Sequence, residues 1–284
     1  MKNNSLLVTG SSGFSGSSIV DYFIKLNYKV QTFYNRKKNL KKNILKKKVN
    51  LIKRLNFKLQ SDWIIHTASY HKINEFKKKP ADKYKKNILM TKNLLEFMEK
   101  NKIKNFIFFS TIDISTKFMP NIKKFYIKSK IKSEKILIEA YKKKIIERLY
   151  ILRLPAIIGT NCNESFLLST LLKMKKDTKI ELWNANLKYN NFVHIIDICK
   201  LLKNILVKKV KNESKIIECV SSKPIKLYSI IKLMKKYLKS NSKITIHTKK
   251  QKKNLLIKGN MNFKFTSTKN SILKFLRENQ ITEI

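Results

Sequence analysis

Cysteine, glycine and acidic residues are all scarce in this 284-residue chain. Its three cysteines, Cys162, Cys199 and Cys219, form no C-x-x-C pair and cannot all be bridged. That excludes a disulfide framework and points to a reducing compartment. No run approaches the roughly 18 uninterrupted apolar residues of a membrane span. The first apolar stretch, Leu6-Leu7-Val8, soon meets glycine and serine and is too short for a secretory leader. The four histidines have no metal-like spacing, so no metal site is expected. The expectation is a soluble cytoplasmic protein, long enough to bury a full core as one large domain or two coupled lobes.

Aspartate and glutamate number 18 against 64 lysines and arginines, a formal net charge of +46. A nucleic-acid binder is the obvious reading, and the details weigh against it. Only five of the basic residues are arginine, and the lysines are spread over the whole chain. Asparagine, isoleucine, phenylalanine and tyrosine are abundant too, as an AT-rich genome would produce. No specific nucleic-acid partner is expected, although such a charge attracts polyanions in a salt-dependent way.

Glycine is concentrated where it does occur. Three of the five fall in Thr9-Gly10-Ser11-Ser12-Gly13-Phe14-Ser15-Gly16, directly after the apolar run. A buried strand entering glycines spaced three apart, and then an apolar-periodic helix, suits a dinucleotide. The first glycine turns the chain, the second admits a pyrophosphate, and the third packs helix on strand.

Strand-like and helix-like runs alternate from residue 5 to about 158, which predicts a doubly wound α/β parallel sheet with ligands at the carboxyl strand ends. The runs include strands at 5–9, 29–34, 49–52, 63–67, 105–109 and 149–154, with helices at 13–27, 84–100 and 126–144. After Pro155 the pattern loosens. The expected division is a dinucleotide-binding domain over 1–158, with 190–220 returning to the sheet. A smaller C-terminal substrate lobe takes 159–189 and 221–284.

Tyr126 and Lys130 stand four apart at the start of a predicted helix, on one face. A free tyrosine is a poor acid or base at neutral pH, and a nearby ammonium favours its phenolate. The strand over 105–109 ends in Ser110-Thr111, whose hydroxyls would lie in the same cleft or merely cap a turn.

These pieces resemble the extended short-chain dehydrogenase/reductases, the NAD-dependent epimerase/dehydratase family. The matching motifs run in family order: TGSSGFSG at 9–16, Asp62-Trp63-Ile64-Ile65-His66-Thr67-Ala68, Tyr84-x-x-Asn87, Ser110-Thr111 and Tyr126-x-x-x-Lys130. They continue with Leu152-Arg153-Leu154-Pro155, Gly159, and Phe192-Val193-His194-x-x-Asp197. The resemblance spans about residues 5–205. It implies Tyr126 as catalytic acid/base, Lys130 as the residue that holds the nicotinamide ribose and tunes Tyr126, and Thr111 as the group that orients a substrate oxygen. Gly10, Gly13 and Gly16 would cradle the pyrophosphate with Phe14 and Ser15. Thr67, Ala68 and Ser69 would line the cofactor, and Pro155 would lie beside the nicotinamide. Ser69, Asn87, Asp113, Lys188 and Asn191 are the candidate substrate contacts, and His66 and His194 match positions that are usually structural. Relatives commonly form homodimers, and Ile131, Leu137 and Ile138 could supply the apolar face.

The departures narrow the reading. Where NAD-preferring relatives end the second strand with an acidic residue, this chain has Tyr34, then Asn35 and Arg36. A missing carboxylate and a nearby guanidinium suit a 2′-phosphate, which favours NADP over NAD. Dehydratases carry an aspartate and a glutamate after the catalytic threonine; here Thr111-Ile112-Asp113 keeps one carboxylate. The arginine that often grips a substrate diphosphate is replaced by Asn190 or Asn191, with Lys188 nearby. The expectation is an NAD(P)-dependent oxidoreductase acting on a nucleotide-activated sugar, with ketoreduction ahead of epimerisation. A polyanion- or RNA-binding protein on a retained Rossmann scaffold is the rival of another class.

Overall fold

The computed structural model describes residues 5–35, 45–71, 80–116, 121–163, 165–248, 256–260 and 263–280. The chain divides into two compact units, 1–153 with 202–218, and 154–201 with 219–284.

The first unit alternates strand and helix: β1 (Ser5–Thr9), α1 (Phe14–Lys25), β2 (Lys29–Tyr34), β3 (Leu45–Lys48), β4 (Trp63–His66), α2 (Pro80–Lys100), β5 (Asn105–Thr111), α3 (Lys124–Lys142) and β6 (Arg148–Leu154). In the second unit follow β7 (Ala156–Ile158), α4 (Phe166–Lys175), β8 (Ile180–Trp183), β9 (Lys188–Tyr189) and β10 (Phe192–His194). Helix α5 (Ile195–Val207) leads back to β11 (Glu213–Glu218) of the first unit. The chain ends with β12 (Ile225–Lys226), α6 (Leu227–Leu238), β13 (Ile244–His247) and α7 (Thr268–Gln280). Among the described residues no helix is long and apolar enough to cross a membrane.

The seven-stranded sheet has the order β11-β6-β5-β4-β1-β2-β3, and the β1·β2, β1·β4, β2·β3, β4·β5 and β6·β11 registers are all parallel. It is the doubly wound Rossmann-type sheet that the alternation predicts. Strand order reverses at β1, and ligands of such sheets bind in the crevice beyond the strand ends there. Helix α1 buries Gly16, Ile19, Val20 and Phe23, one face at helical spacing. Phe97 of α2, fully buried, meets Phe33 and Phe57 edge-on or tilted at centroid distances of 5.7 and 5.1 Å. Burying each such ring contributes roughly 1.5–3 kcal/mol. Polar pairs bind α2 to α3: Asn87 Nδ2 donates to Ser129 Oγ at 3.1 Å and Thr91 Oγ1 to Ser133 Oγ at 3.1 Å.

Three expectations change. The edge strand is Leu45–Lys48, not 49–52; Val49 and Leu51, just past it, are buried in the core of the first unit. Lysines suit an edge, because charge there discourages pairing with another chain. Of the stretch 190–220, only β11 joins the large sheet, while β10 pairs with β7 in the second unit. Leu137 is fully buried in the core of the first unit and so offers no apolar face to a partner. The second unit holds three two-stranded sheets, β7·β10, β9·β12 and β8·β13.

Candidate active site

The glycine loop is fastened to its surroundings by backbone. Gly10 N donates to Phe33 O at 3.0 Å and Gly13 N to Gly10 O at 2.9 Å, while Thr67 Oγ1 donates to Thr9 O at 2.7 Å. Gly10 has φ +71°, and a Cβ there would lie 2.7 Å from Ala68 N. A Cβ on Gly16 would lie 2.3 Å from Gly10 O. Both positions therefore demand glycine. Gly13 differs: it is exposed, and among the described residues a Cβ would meet only Gly10 O, at 3.4 Å. Open space thus lies over Gly13, which is the N-cap residue of α1. Within α1, Ser17 N donates to Gly13 O at 2.9 Å. The amides of Phe14, Ser15 and Gly16 precede it at a helix N-terminus with no acidic residue in its first turn. This cradle fits a pyrophosphate.

Beneath it, Thr9 Oγ1 and His66 Nδ1 lie 2.7 Å apart, fully buried. Burial, and then the charge of Lys130, push the His66 pKa down to about 3, so the ring is neutral. Its place is structural.

Tyr126 and Lys130 both lie on α3, where it passes the end of β5. The Lys130 ammonium donates to Phe109 O at 2.7 Å and sits 4.6 Å from the Phe108 ring centroid and 5.8 Å from that of Tyr126. Burial pushes its pKa down to about 7. The Tyr126 side chain is half-buried, but its hydroxyl end is removed from water. That burial and the Asp113 charge raise its pKa, against a hydrogen bond shared with Ser69 that lowers it. The lowered tyrosine pKa expected from the Tyr-Lys spacing is therefore not present in this state; desolvation and the carboxylate prevail.

Thr111 ends β5 and caps the short turn Ile112–Ile114. Its hydroxyl donates to Asp113 Oδ2 at 3.2 Å and accepts from Asp113 N at 3.4 Å. Lys123 Nζ lies 3.4 Å from the same carboxylate oxygen. Ser110, one residue earlier, faces the other way and donates to Glu134. Phenol, ammonium, threonine hydroxyl and one carboxylate thus gather at the end of β5 in the same unit as the glycine cradle. That set can move a proton to and from a substrate hydroxyl.

The family model described as the NAD dependent epimerase/dehydratase family matches residues 6–219. The chain belongs to that family. A protein of Methanocaldococcus jannaschii provisionally named UDP-glucose 4-epimerase is 36% identical over 115 residues, 37% of this chain and 37% of that protein. The match therefore spans little over a third of that relative's length. Two solved structures share the fold along nearly the whole chain. The UDP-N-acetylglucosamine 4-epimerase of Methanobrevibacter ruminantium, in complex with UDP-N-acetylmuramic acid, has a TM-score of 0.82 at 16% identity and covers 100% of both chains. The UDP-glucose 4-epimerase of Thermotoga maritima, with UDP-glucose, has a TM-score of 0.79 at 17% identity, covering 98% of this chain and 99% of that one.

In this epimerase/dehydratase-family chain the remaining candidate residues are divided between the two units. Asn87 is not open to a substrate: its amide is 4% exposed, accepts from Tyr70 N at 2.9 Å, and donates to Tyr70 O and Ser129 Oγ. It clamps the chain after β4. Ser69 donates to Tyr70 O at 3.3 Å besides bonding Tyr126. Asn35 is exposed past the end of β2, and Arg36 lies outside the described residues. Pro155, Lys188 and Asn191 belong to the second unit. There Lys188 is exposed, and Asn191 Oδ1 is shielded from water with no hydrogen-bond partner among the described residues. Asn190 is occupied by the chain itself, donating to Ile257 O at 2.9 Å and accepting from Ile257 N at 3.1 Å. His194 accepts from Ile196 N at Nδ1 and meets Glu278 through Nε2 at 3.0 Å. Among the described residues no cluster could hold a metal ion.

Sequence reasoning passed over Glu134, Lys123 and the contacts of Arg153. The four-residue spacing from Lys130 to Glu134 was the one available signal for the first.

Proposed function

We propose that this chain is an NAD-dependent epimerase acting on a nucleotide-activated sugar, with the UDP-sugars as the first class to try. The observation that carries the reading is the gathering of Tyr126, Lys130, Thr111 and Ser69 around the end of β5, in one unit with a glycine cradle open over Gly13. The names of the similar proteins favour epimerisation over the ketoreduction expected from sequence. Arg36, the guanidinium that would favour NADP, lies outside the described residues.

Gly10, Gly13 and Gly16, with the amides of Phe14 and Ser15, would hold the pyrophosphate, and Lys130 the nicotinamide ribose. Bound nicotinamide supplies a hydride acceptor and, on the return step, the donor. Tyr126 would take the proton of the sugar hydroxyl as its carbon is oxidised, and would give it back to the same oxygen when the keto carbon regains its hydrogen from the opposite face. Thr111 orients the reacting oxygen, and Ser69 supports the phenolate. Dehydration is disfavoured, since Asp113 is the one carboxylate beside Thr111 among the described residues and is already engaged by Thr111 and Lys123.

The experiment is to denature freshly purified protein, identify any released nicotinamide, and assay UDP-sugar epimerisation at high salt. Stoichiometric NAD with epimerisation supports the proposal, because an epimerase regenerates its cofactor every cycle. An empty site that prefers NADPH would replace it with ketoreduction, for which the missing carboxylate at Tyr34-Asn35 is the supporting feature. RNA-selective binding at physiological salt without nicotinamide binding would favour the polyanion reading.

A further inference from the structure

Two consecutive residues of β5 grip two residues of α3 that stand four apart. Phe109 O accepts from Lys130 Nζ at 2.7 Å, and the Ser110 hydroxyl donates to the Glu134 carboxylate. Glu134 also takes a two-pronged bond from Arg153 of β6, from Nε at 3.2 Å and from the guanidinium NH2 at 2.8 Å. Arg153 reaches Ser115 Oγ at 3.1 Å and lies 3.7 Å from Glu218 of β11. One carboxylate therefore ties α3 to two neighbouring strands, at a depth where it is only 4% exposed.

Stability alone does not call for this arrangement. Desolvating an ion pair costs several kcal/mol, and a well-packed apolar pair often serves as well. The carboxylate does something an apolar group cannot. It lies one helical turn, about 6 Å of rise, beyond Lys130 on the same face. Lys130 is buried against a carbonyl and two aromatic rings, surroundings that favour the neutral amine. Around it, His66 of β4 is neutral, Tyr126 of α3 is a phenol, and Asp113 acts on Tyr126. Arg153 of β6 is paired with Glu134 itself. Among the described residues Glu134 is the carboxylate whose charge opposes the loss of the Lys130 proton.

We propose that Glu134 is a positioning residue of this site: anchored by Ser110 and Arg153, it holds Lys130 in its ammonium form and in register with the end of β5. The proposal rests on the nicotinamide-enzyme reading, in which that ammonium serves the ribose and Tyr126.

The test is NADH affinity of the stripped protein, followed by fluorescence from pH 6 to 9 at fixed high salt. Wild type should lose affinity as Lys130 deprotonates. Glu134→Gln keeps the shape and removes the charge, and should move the midpoint down by about one pH unit. Affinity at pH 7.5 should then fall roughly eightfold. Ser110→Ala removes one hydrogen bond and keeps the charge, so its midpoint should stay within about 0.3 unit of wild type. Should Glu134→Gln fold poorly because Arg153 is orphaned, the double variant Glu134→Gln/Arg153→Met leaves no unpaired buried charge and should show the same downward shift. A wild-type midpoint in a folded Glu134→Gln protein, single or double, overturns the role of Glu134 while leaving the nicotinamide reading intact. Failure of the wild type to bind NADH removes both.

Discussion

In the loop from Gly10 to Gly16 the groups offered to a ligand are backbone amides, made available because side chains are missing. At the start of α3 the groups are side chains, and each is held by another side chain or by a strand end. A Cβ at Gly16 would strike Gly10 O at 2.3 Å, so the loop's shape is enforced within seven residues of sequence. Lys130, by contrast, is held by Phe109, and Tyr126 by Ser69, residues brought together by three different segments. The shape of the first region survives any change of charge; on the proposed function, the second would work only in particular protonation states. A protein so divided should lose binding and turnover through separate substitutions.

Tyr126→Phe is the most severe test of that division. Turnover of the nucleotide sugar should fall by about 10²–10⁴-fold, the usual share of an acid/base group, while NADH affinity, read by fluorescence, stays close to wild type. Parallel losses in both would show that cradle and helix are not separable. Acid comes next. His66 has its folded pKa near 3 against an ordinary 6.5, so as pH falls through this window the unfolded chain binds the proton first. The stability contribution is whole above about 6.5 and is lost toward 3, at roughly 1.4 kcal/mol per pH unit. Thermal melts between pH 7 and 4 should show this slope, and His66→Asn should flatten it.

A smaller pair of effects separates the glycines themselves. Gly16→Ala forces overpacking against Gly10 and should cost about 1–3 kcal/mol of stability, seen as a lower Tm. Gly13→Ala should leave Tm nearly unchanged and weaken NADH by about tenfold, some 1.4 kcal/mol. Equal Tm losses at both positions would mean that Gly13 is a packing glycine and the space over it is not a ligand's.

The alternation that predicts the parallel sheet holds through β6, because buried parallel strands read as short apolar runs whatever surrounds them. It misplaces β3, since the lysines of Leu45–Lys48 carry no strand pattern; that edge exists because β2 offers it a parallel register. It also sends Phe192–His194 to the large sheet, where the structure gives that place to β11. The Tyr126–Lys130 face was readable from spacing, and the protonation behaviour of the pair was not, since it depends on Asp113, Ser69 and burial. Asn87 matched a motif and yet faces the chain, closing on Tyr70 and Ser129.

What the sequence determined by itself is what lies within a turn or two of chain: the strand-glycine-helix cradle, the helix faces, and the order of strands and helices. Steric exclusion at Gly10 and Gly16 and the period of a helix act over that range and need no partner. The tertiary structure decided how charges and polar groups are matched: Ser69 on Tyr126, Asn190 on Ile257, and Glu134 between Ser110 and Arg153. A buried polar atom must find its partner wherever the fold brings one, and no local spacing says from which segment it will come.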